Sequence, residues 1–206
     1  MAILSTAYFP PIEYFVVLAK YSAIYIEAFE NYQKQSYRNR CKFYAADGLQ
    51  TLNVPVVHEN GTFKLPITQI KVDYKTPWLI RTERAIEAAY CSSAFFEYYR
   101  DELFAILDSK PETLFELNTR ITEFFARKCG LKVEILNTGS FAPLGSEDDF
   151  REIIHPKRSN TILEDAGLKK PYFQVFAQKH GFKSNLSIMD LLFNEGPDSI
   201  VYLKKL

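Results

Sequence analysis

The sequence predicts an α/β fold, with an N-terminal β-α-β unit, a mixed sheet and a helical block over residues 76–130. Three observations predict it. Ala2-Ile3-Leu4 opens an apolar run that Tyr8-Phe9-Pro10-Pro11 breaks. Ile12, Phe15, Val16 and Ala19 then recur at i, i+3, i+4 and i+7, one face of a helix. Ala23 to Phe29 returns to a strand pattern, and residues 76–130 carry repeated helix periodicity. Two strands joined by one helix run parallel with a right-handed crossover. Ligands of such sheets bind beyond the carboxyl ends of the strands. Ser5, Thr6, Tyr8 and Pro10 follow the first strand, and Glu27, Glu30, Asn31 and Tyr32 lie at or beyond the end of the second.

A basic segment follows. With strand alternation, Lys34, Ser36, Arg38, Arg40 and Lys42 fall on one face, and Gln35, Tyr37, Asn39, Cys41 and Phe43 on the other. Cations projecting together repel one another and are held most easily beside an acidic wall, a bound anion or water. The run reads either as an anion-binding strip, in which Arg38 and Arg40 grip carboxylate or phosphate in bidentate fashion, or as a charged edge strand that discourages sheet-to-sheet association.

Asp47-Gly48 predicts a hairpin turn into a strand over residues 49–57, which Pro55 weakens. His58-Glu59-Asn60-Gly61 reads as a turn and residues 67–72 as a further strand. Thr76-Pro77 opens a helix to about Tyr90, Ser93 a second through Leu107, and Ser109-Lys110-Pro111-Glu112 has capping-box spacing for a third, stopped by Gly130. The aromatic stripe of these helices reads as core. Residues 133–136 return to strand, and residues 137–170 are polar, with only Phe150 to Ile154 reading as ordered. A long irregular stretch within a compact chain is usually functional or disordered. Tyr172 to Phe176 predicts a strand, and Leu186 to Phe193 a short amphipathic helix ended by Gly196-Pro197.

At 206 residues the chain fits a single domain, 1–206, with a core that needs no staple. Lys+Arg and Asp+Glu are both 25, so no basic excess marks a nucleic-acid or anionic-membrane partner. No run reaches the ~20 apolar residues of a membrane span. Cys41, Cys91 and Cys129 lack metal or redox spacing, and the first residues read as a strand rather than a signal peptide, so a cytoplasmic location is expected. Glycine-rich phosphate loops, Gly-x-Ser-x-Gly, His-x-x-x-His and Cys-x-x-Cys are absent, and no metal site is expected. Glu147-Asp148-Asp149 is an acidic run that could hold a hard cation but reads first as a solvated turn. Of the three histidines, His58 sits in a turn. His155, beside Lys157 and Arg158, has the surroundings of a neutral base, and His180 is a turn residue with a candidate catalytic role.

Four segments resemble the WbqC-like family of bacterial proteins: residues 3–15, with Tyr8-Phe9-Pro10 and Tyr14-Phe15; Glu30-Asn31-Tyr32-Gln33-Lys34 with Tyr37-Arg38-Asn39-Arg40 and Val54-Pro55-Val56; Tyr90 with Phe95-Phe96-Glu97-Tyr98-Tyr99; and residues 174–197, closing with Asn185-Leu186-Ser187 and Asn194-Glu195-Gly196-Pro197. Ser5-Thr6 stands where many members carry Gln-Pro, and residues 153–157 replace a glycine-containing segment. The resemblance implies a link to surface-polysaccharide gene clusters and a transferase acting on an aminoacyl, acyl or sugar group.

The residues and the resemblance together lead to a cytoplasmic bacterial transferase of surface-polysaccharide or O-antigen biosynthesis, acting on a small anionic substrate such as a nucleotide sugar or an activated acyl group. No cofactor is identified. Lys34, Arg38 and Arg40 would bind the anion, with Asn39 in the same motif. Tyr8 and Tyr32 would line the pocket, Glu30, His155 or His180 would act in catalysis, and Asn185 and Asp190 would position the site, with capping or bracing of its own helix as the equal alternative for Asp190. The alternative is a non-catalytic binding or scaffold protein in a polysaccharide-assembly complex.

Overall fold

A computed structural model describes residues 2–57, 64–145, 148–168 and 171–204. The proposed turn at His58–Gly61 and the Glu147 end of the acidic run lie outside the described residues.

The β-α-β unit forms as its apolar periods dictate. Strand β1 (Ala2–Leu4) leads through Pro10-Pro11 to helix α1 (Ile12–Lys20) and strand β2 (Ala23–Ile26). β2 lies between β1 and β5 (Glu134–Asn137), and both pairings are parallel, in the register Leu4↔Ile26 and Ile26↔Asn137. Antiparallel pairing occupies a separate sheet, the hairpin of β3 (Arg40–Ala45) and β4 (Gly48–Asn53). Ala46 and Asp47 form its turn, and Gly48 carries the positive φ of 102° that makes glycine the fitting residue there. β4 stops before Pro55, which has no ladder donor.

The free side of β1 is covered by the polar stretch. Ile3 donates its backbone N–H to Asp148 O, and Phe150 N–H returns to Ile3 O, so residues 148–150 lie along β1 like a further strand. This pairing shields an edge that would otherwise present unpaired backbone groups.

Helices α2 (Trp78–Tyr90), α3 (Phe96–Asp108) and α4 (Leu114–Lys128) fill the expected block. Their aromatic stripe is core: Phe96, Phe124 and Phe125 are buried, and Phe125 meets Phe9, Phe15 and Phe193 in edge or tilted ring contacts. The third helix is capped four residues later than the spacing predicted. Thr113 Oγ1 accepts from Glu116 N–H, whereas Ser109 is the residue that ends α3. Pro111 fixes the chain between the two helices, which leaves Thr113-x-x-Glu116 as the first capping pair with free backbone donors. Ser93 likewise caps nothing, because α3 starts at Phe96 with Phe95 before it.

Two predicted strands take other forms. Residues 67–69 make a 3-10 turn, with Val72 bridging Val56 and Lys71 bridging Thr113. Residues 172–176 run as a loop into the short helix α6 (Ala177–His180), preceded by the single turn α5 (Ile162–Asp165). The closing segment is bound to the start of the chain. Ile12 N–H donates to Leu186 O, and Ile188 N–H to Pro10 O, at the head of α7 (Ile188–Glu195), which Ser187 caps. A 3-10 turn at Gly196–Asp198 and helix α8 (Ser199–Leu203) end the described chain.

Replacing Thr113 with Ala should cost about 1 kcal/mol of unfolding free energy through the lost cap. Ser109→Ala should cost less than half as much. Urea unfolding of both variants checks this, and equal losses would contradict the capping assignment.

Candidate functional site

Each parallel strand is followed directly by a polar residue: Ser5 after β1, Glu27 after β2 and Thr138 after β5. The register brings them to one edge, and two buried arginines organise it.

Arg38 serves the Ser5 side. Its Nε donates to Glu30 Oε1 at 2.9 Å, and its Nη2 to Glu30 Oε2 at 2.5 Å and Ser5 Oγ at 2.8 Å. Ser5 Oγ in turn donates to Glu30 Oε2 at 2.9 Å. Arg38 is only 3% exposed and Glu30 6%, while Ser5 is partly open. Burial pushes the Glu30 carboxyl above the usual range, against the Arg38 charge and the hydrogen bonds from Arg38 and Ser5. A small crevice adjoins them, lined by Ser5, Thr6, Tyr14, Tyr37, Arg38 and Ile154. Its free space of about 10 Å³ matches a single water. His155 follows Ile154 at the rim. Partial burial, then the charges of Arg158, Arg38 and Lys157, lower its pKa against the opposing pull of Glu152, so it is neutral at pH 7. Lys157 Nζ donates to Gln35 Oε1.

Arg151 serves the Glu27 side. Nε and Nη2 grip Asp149, Nη1 reaches Glu27 Oε2 at 3.0 Å and Ala142 O, and Nη2 also reaches Pro143 O. Glu27 further accepts from Thr138 Oγ1 at 2.7 Å and from the backbone N–H groups of Phe29 and Ala142. Asp149 feels burial raising its pKa, but Arg151 and the N–H groups of Arg151 and Gly145 outweigh it and hold it low.

The structure redistributes the predicted basic strip. Lys34 to Asn39 form turns, with Gln35 at φ 58°, and the strand begins only at Arg40. Alternation therefore fails. Arg38 turns inward to Glu30, Lys34 is exposed, and Arg40 is half-buried with its Nε lacking a hydrogen bond among the described residues. Asn39 donates to Val54 O and so holds the end of β4. Tyr8 does not line the crevice. It is fully buried, its hydroxyl lies toward Thr82 and Cys41, and Tyr14 and Tyr37 take its place. Tyr14 donates to Ser5 O at 3.0 Å. Tyr32 is buried near Arg40 and Arg38.

His180 lies elsewhere, at the end of α6, with Nε2 at 2.9 Å from Ala46 O on the hairpin turn. Asn185 Oδ1 accepts the backbone N–H of Glu13, supplying the cap that Pro11 cannot give α1. Asp190 accepts from Tyr172 (2.6 Å) and Gln174 (2.7 Å), which ties residues 172–183 to α7. The Tyr90 hydroxyl is buried beside the same carboxylate, outside good hydrogen-bond geometry. Of the predicted site residues, Glu30 and Arg38 thus meet at the strand end, with His155 at the rim. Arg151 escaped sequence reasoning, and Asp149, expected in a solvated turn, is instead buried against it. The signal available was the polar residue Glu27 at a buried strand end, which requires a cation from somewhere in the chain.

The profile of the WbqC-like protein family matches residues 6–169. The chain belongs to the WbqC-like family. The matched span holds Glu30, Arg38, Arg151 and His155, and it ends before the Gln174–Pro197 segment. A relative in Mycobacterium tuberculosis (strain ATCC 25618 / H37Rv), the uncharacterized protein Rv1507c, is 25% identical over 226 residues, covering 99% of this chain and 97% of its own. No solved structure matches the chain. Among the described residues, no helix of this WbqC-like chain is long and apolar enough to cross a membrane, and no group of His, Cys, Asp and Glu is arranged to hold a metal.

Burial, against its hydrogen bonds from Tyr172 and Gln174, pushes the Asp190 carboxyl up to about 6. The folded chain therefore keeps a proton that the unfolded chain releases near pH 4. This contribution to stability is complete below about pH 4 and is lost as pH rises towards 6, on the order of 1–3 kcal/mol. Asp190→Asn, whose amide oxygen still accepts both bonds, should remove that slope. Urea unfolding across pH 4–7 checks it. An unchanged slope in the variant would contradict the assignment.

Proposed function

We propose that this WbqC-like chain is a bacterial transferase whose reaction centre is the Ser5-Glu30-Arg38 crevice at the carboxyl edge of β1 and β2. It moves an aminoacyl or acyl group, or modifies a sugar, in surface-polysaccharide or O-antigen assembly in the cytoplasm. One observation carries this reading. A partly open hydroxyl bridges a buried carboxylate and a buried guanidinium at the strand ends where parallel sheets bind ligands. Lys157, beside His155 and with its side chain bonded only to the neutral Gln35 among the described residues, makes the rim attractive to an anionic donor such as a nucleotide sugar or an activated acyl group.

In such a transfer the acceptor's hydroxyl or amine attacks the activated carbon, and the bond to the leaving group breaks as that group takes the electron pair. The acceptor proton goes to Glu30, whose raised pKa suits a base, or to neutral His155. Arg38 offsets negative charge as it develops.

A second reading, a non-catalytic binding or scaffold protein, has its own support. Arg38 is already neutralised by Glu30, and the crevice has room for about one water.

A thermal-shift screen with sugar nucleotides, acyl thioesters and amino acids separates the two. Ser5→Ala and His155→Ala should each weaken a true hit at least tenfold, about 1.4 kcal/mol. Ligand-free melting should be unchanged in His155→Ala and lowered in Ser5→Ala, which takes a partner from the buried Glu30 and Arg38. Arg38→Ala is unsuitable, because stranding Glu30 costs about 3–5 kcal/mol. A hit that both variants retain would remove the reaction centre from this crevice.

A further inference from the structure

Beside the crevice, α1, residues 158–164 and Ser184-Asn185 enclose a second cleft of about 190 Å³. Its walls include Glu13, Arg158, Ser159, Asn160, Glu164 and Asn185. Glu13 is 4% exposed, and Asn160 Nδ2 donates to its Oε2 at 2.8 Å. Among the described residues no lysine, arginine or histidine stands within ion-pair distance of this carboxylate. Burial raises the Glu13 carboxyl above its ordinary range, against hydrogen bonding by Asn160 and Asn185 and the longer-range charge of Lys42. Arg158, on the wall itself, is claimed by Glu152, through Oε2 at 2.7 Å and the backbone oxygen at 2.9 Å.

A buried carboxylate without a contacting cation is costly, and a neutral ligand does not relieve it. A primary ammonium does. It brings one positive charge and three N–H donors, which the Glu13 carboxylate and the oxygens of Ser159 and Ser184 can accept. The cleft volume suits one small molecule rather than a chain. We propose that this cleft binds a small ligand through its primary ammonium group, with Glu13 as the counter-ion. The assignment stands apart from the transferase reading, since it uses none of Ser5, Glu30 or Arg38.

Saturation-transfer NMR with glucosamine and L-alanine at roughly 1–10 mM tests it, with their N-acetyl forms as controls. At least one ammonium probe should bind while its N-acetyl form does not. Glu13→Gln keeps an acceptor for Asn160 and should melt no lower than the wild type, yet lose the probe at least tenfold. Lys42→Met, which removes the longer-range cation, should tighten binding, a gain that misfolding cannot imitate. Failure of both ammonium probes, equal binding of the N-acetyl forms, or full retention by Glu13→Gln would overturn the proposal.

Discussion

Burying acids at the ends of parallel strands obliges the rest of the chain to supply their partners. Glu27 is wholly buried where β2 ends. A carboxylate there is tolerable only when its lone pairs are filled and its charge matched. Thr138, Phe29 N–H, Ala142 N–H and Arg151 do this together. Because those groups come from residues 138–151, the polar loop closes over the strand ends. The same closure delivers Asp149 and Phe150 to the open side of β1. One charge requirement thus fixes the loop, the sheet edge and the floor of the crevice.

The two arginines differ in a way that bears on function. A guanidinium has five N–H donors. All five of Arg151 are bonded, to Asp149, Glu27 and two backbone oxygens. Arg38 makes four such bonds, one of them a long 3.4 Å contact to Gln33. Among the described residues one donor is left over, on Nη1, the nitrogen that faces Gln33. Complete satisfaction marks a structural brace, whereas the incomplete set leaves one donor able to take a further acceptor.

The β-α-β unit was legible because its periods of 2 and 3.6 are local properties of the sequence. The helical block was legible for the same reason. The basic segment was not, because alternation assumes an extended chain. Gln35 in the left-handed region breaks it, and Arg38 answers Glu30, a partner revealed only by the fold. Tyr172 and Gln174 sit two apart, as on one face of a strand, yet what orders them is the buried Asp190 carboxylate. Arg151 stood in Phe150 to Ile154, the one ordered-looking run of a polar stretch, and nothing local to that run tied it to the distant Glu27. The strand ends were the readable part of the site, and the side chains that complete them came from segments without pattern.

The central claim is that a buried charge pair between Glu27 and Arg151 holds the carboxyl edge together. A double-mutant cycle measures it, with Glu27→Gln and Arg151→Met unfolded in urea singly and together. Each single change should cost about 3–5 kcal/mol, because it strands a buried charge. The double variant should cost less than the sum by at least about 2 kcal/mol. Additive losses, with a coupling below about 0.5 kcal/mol, would contradict the account.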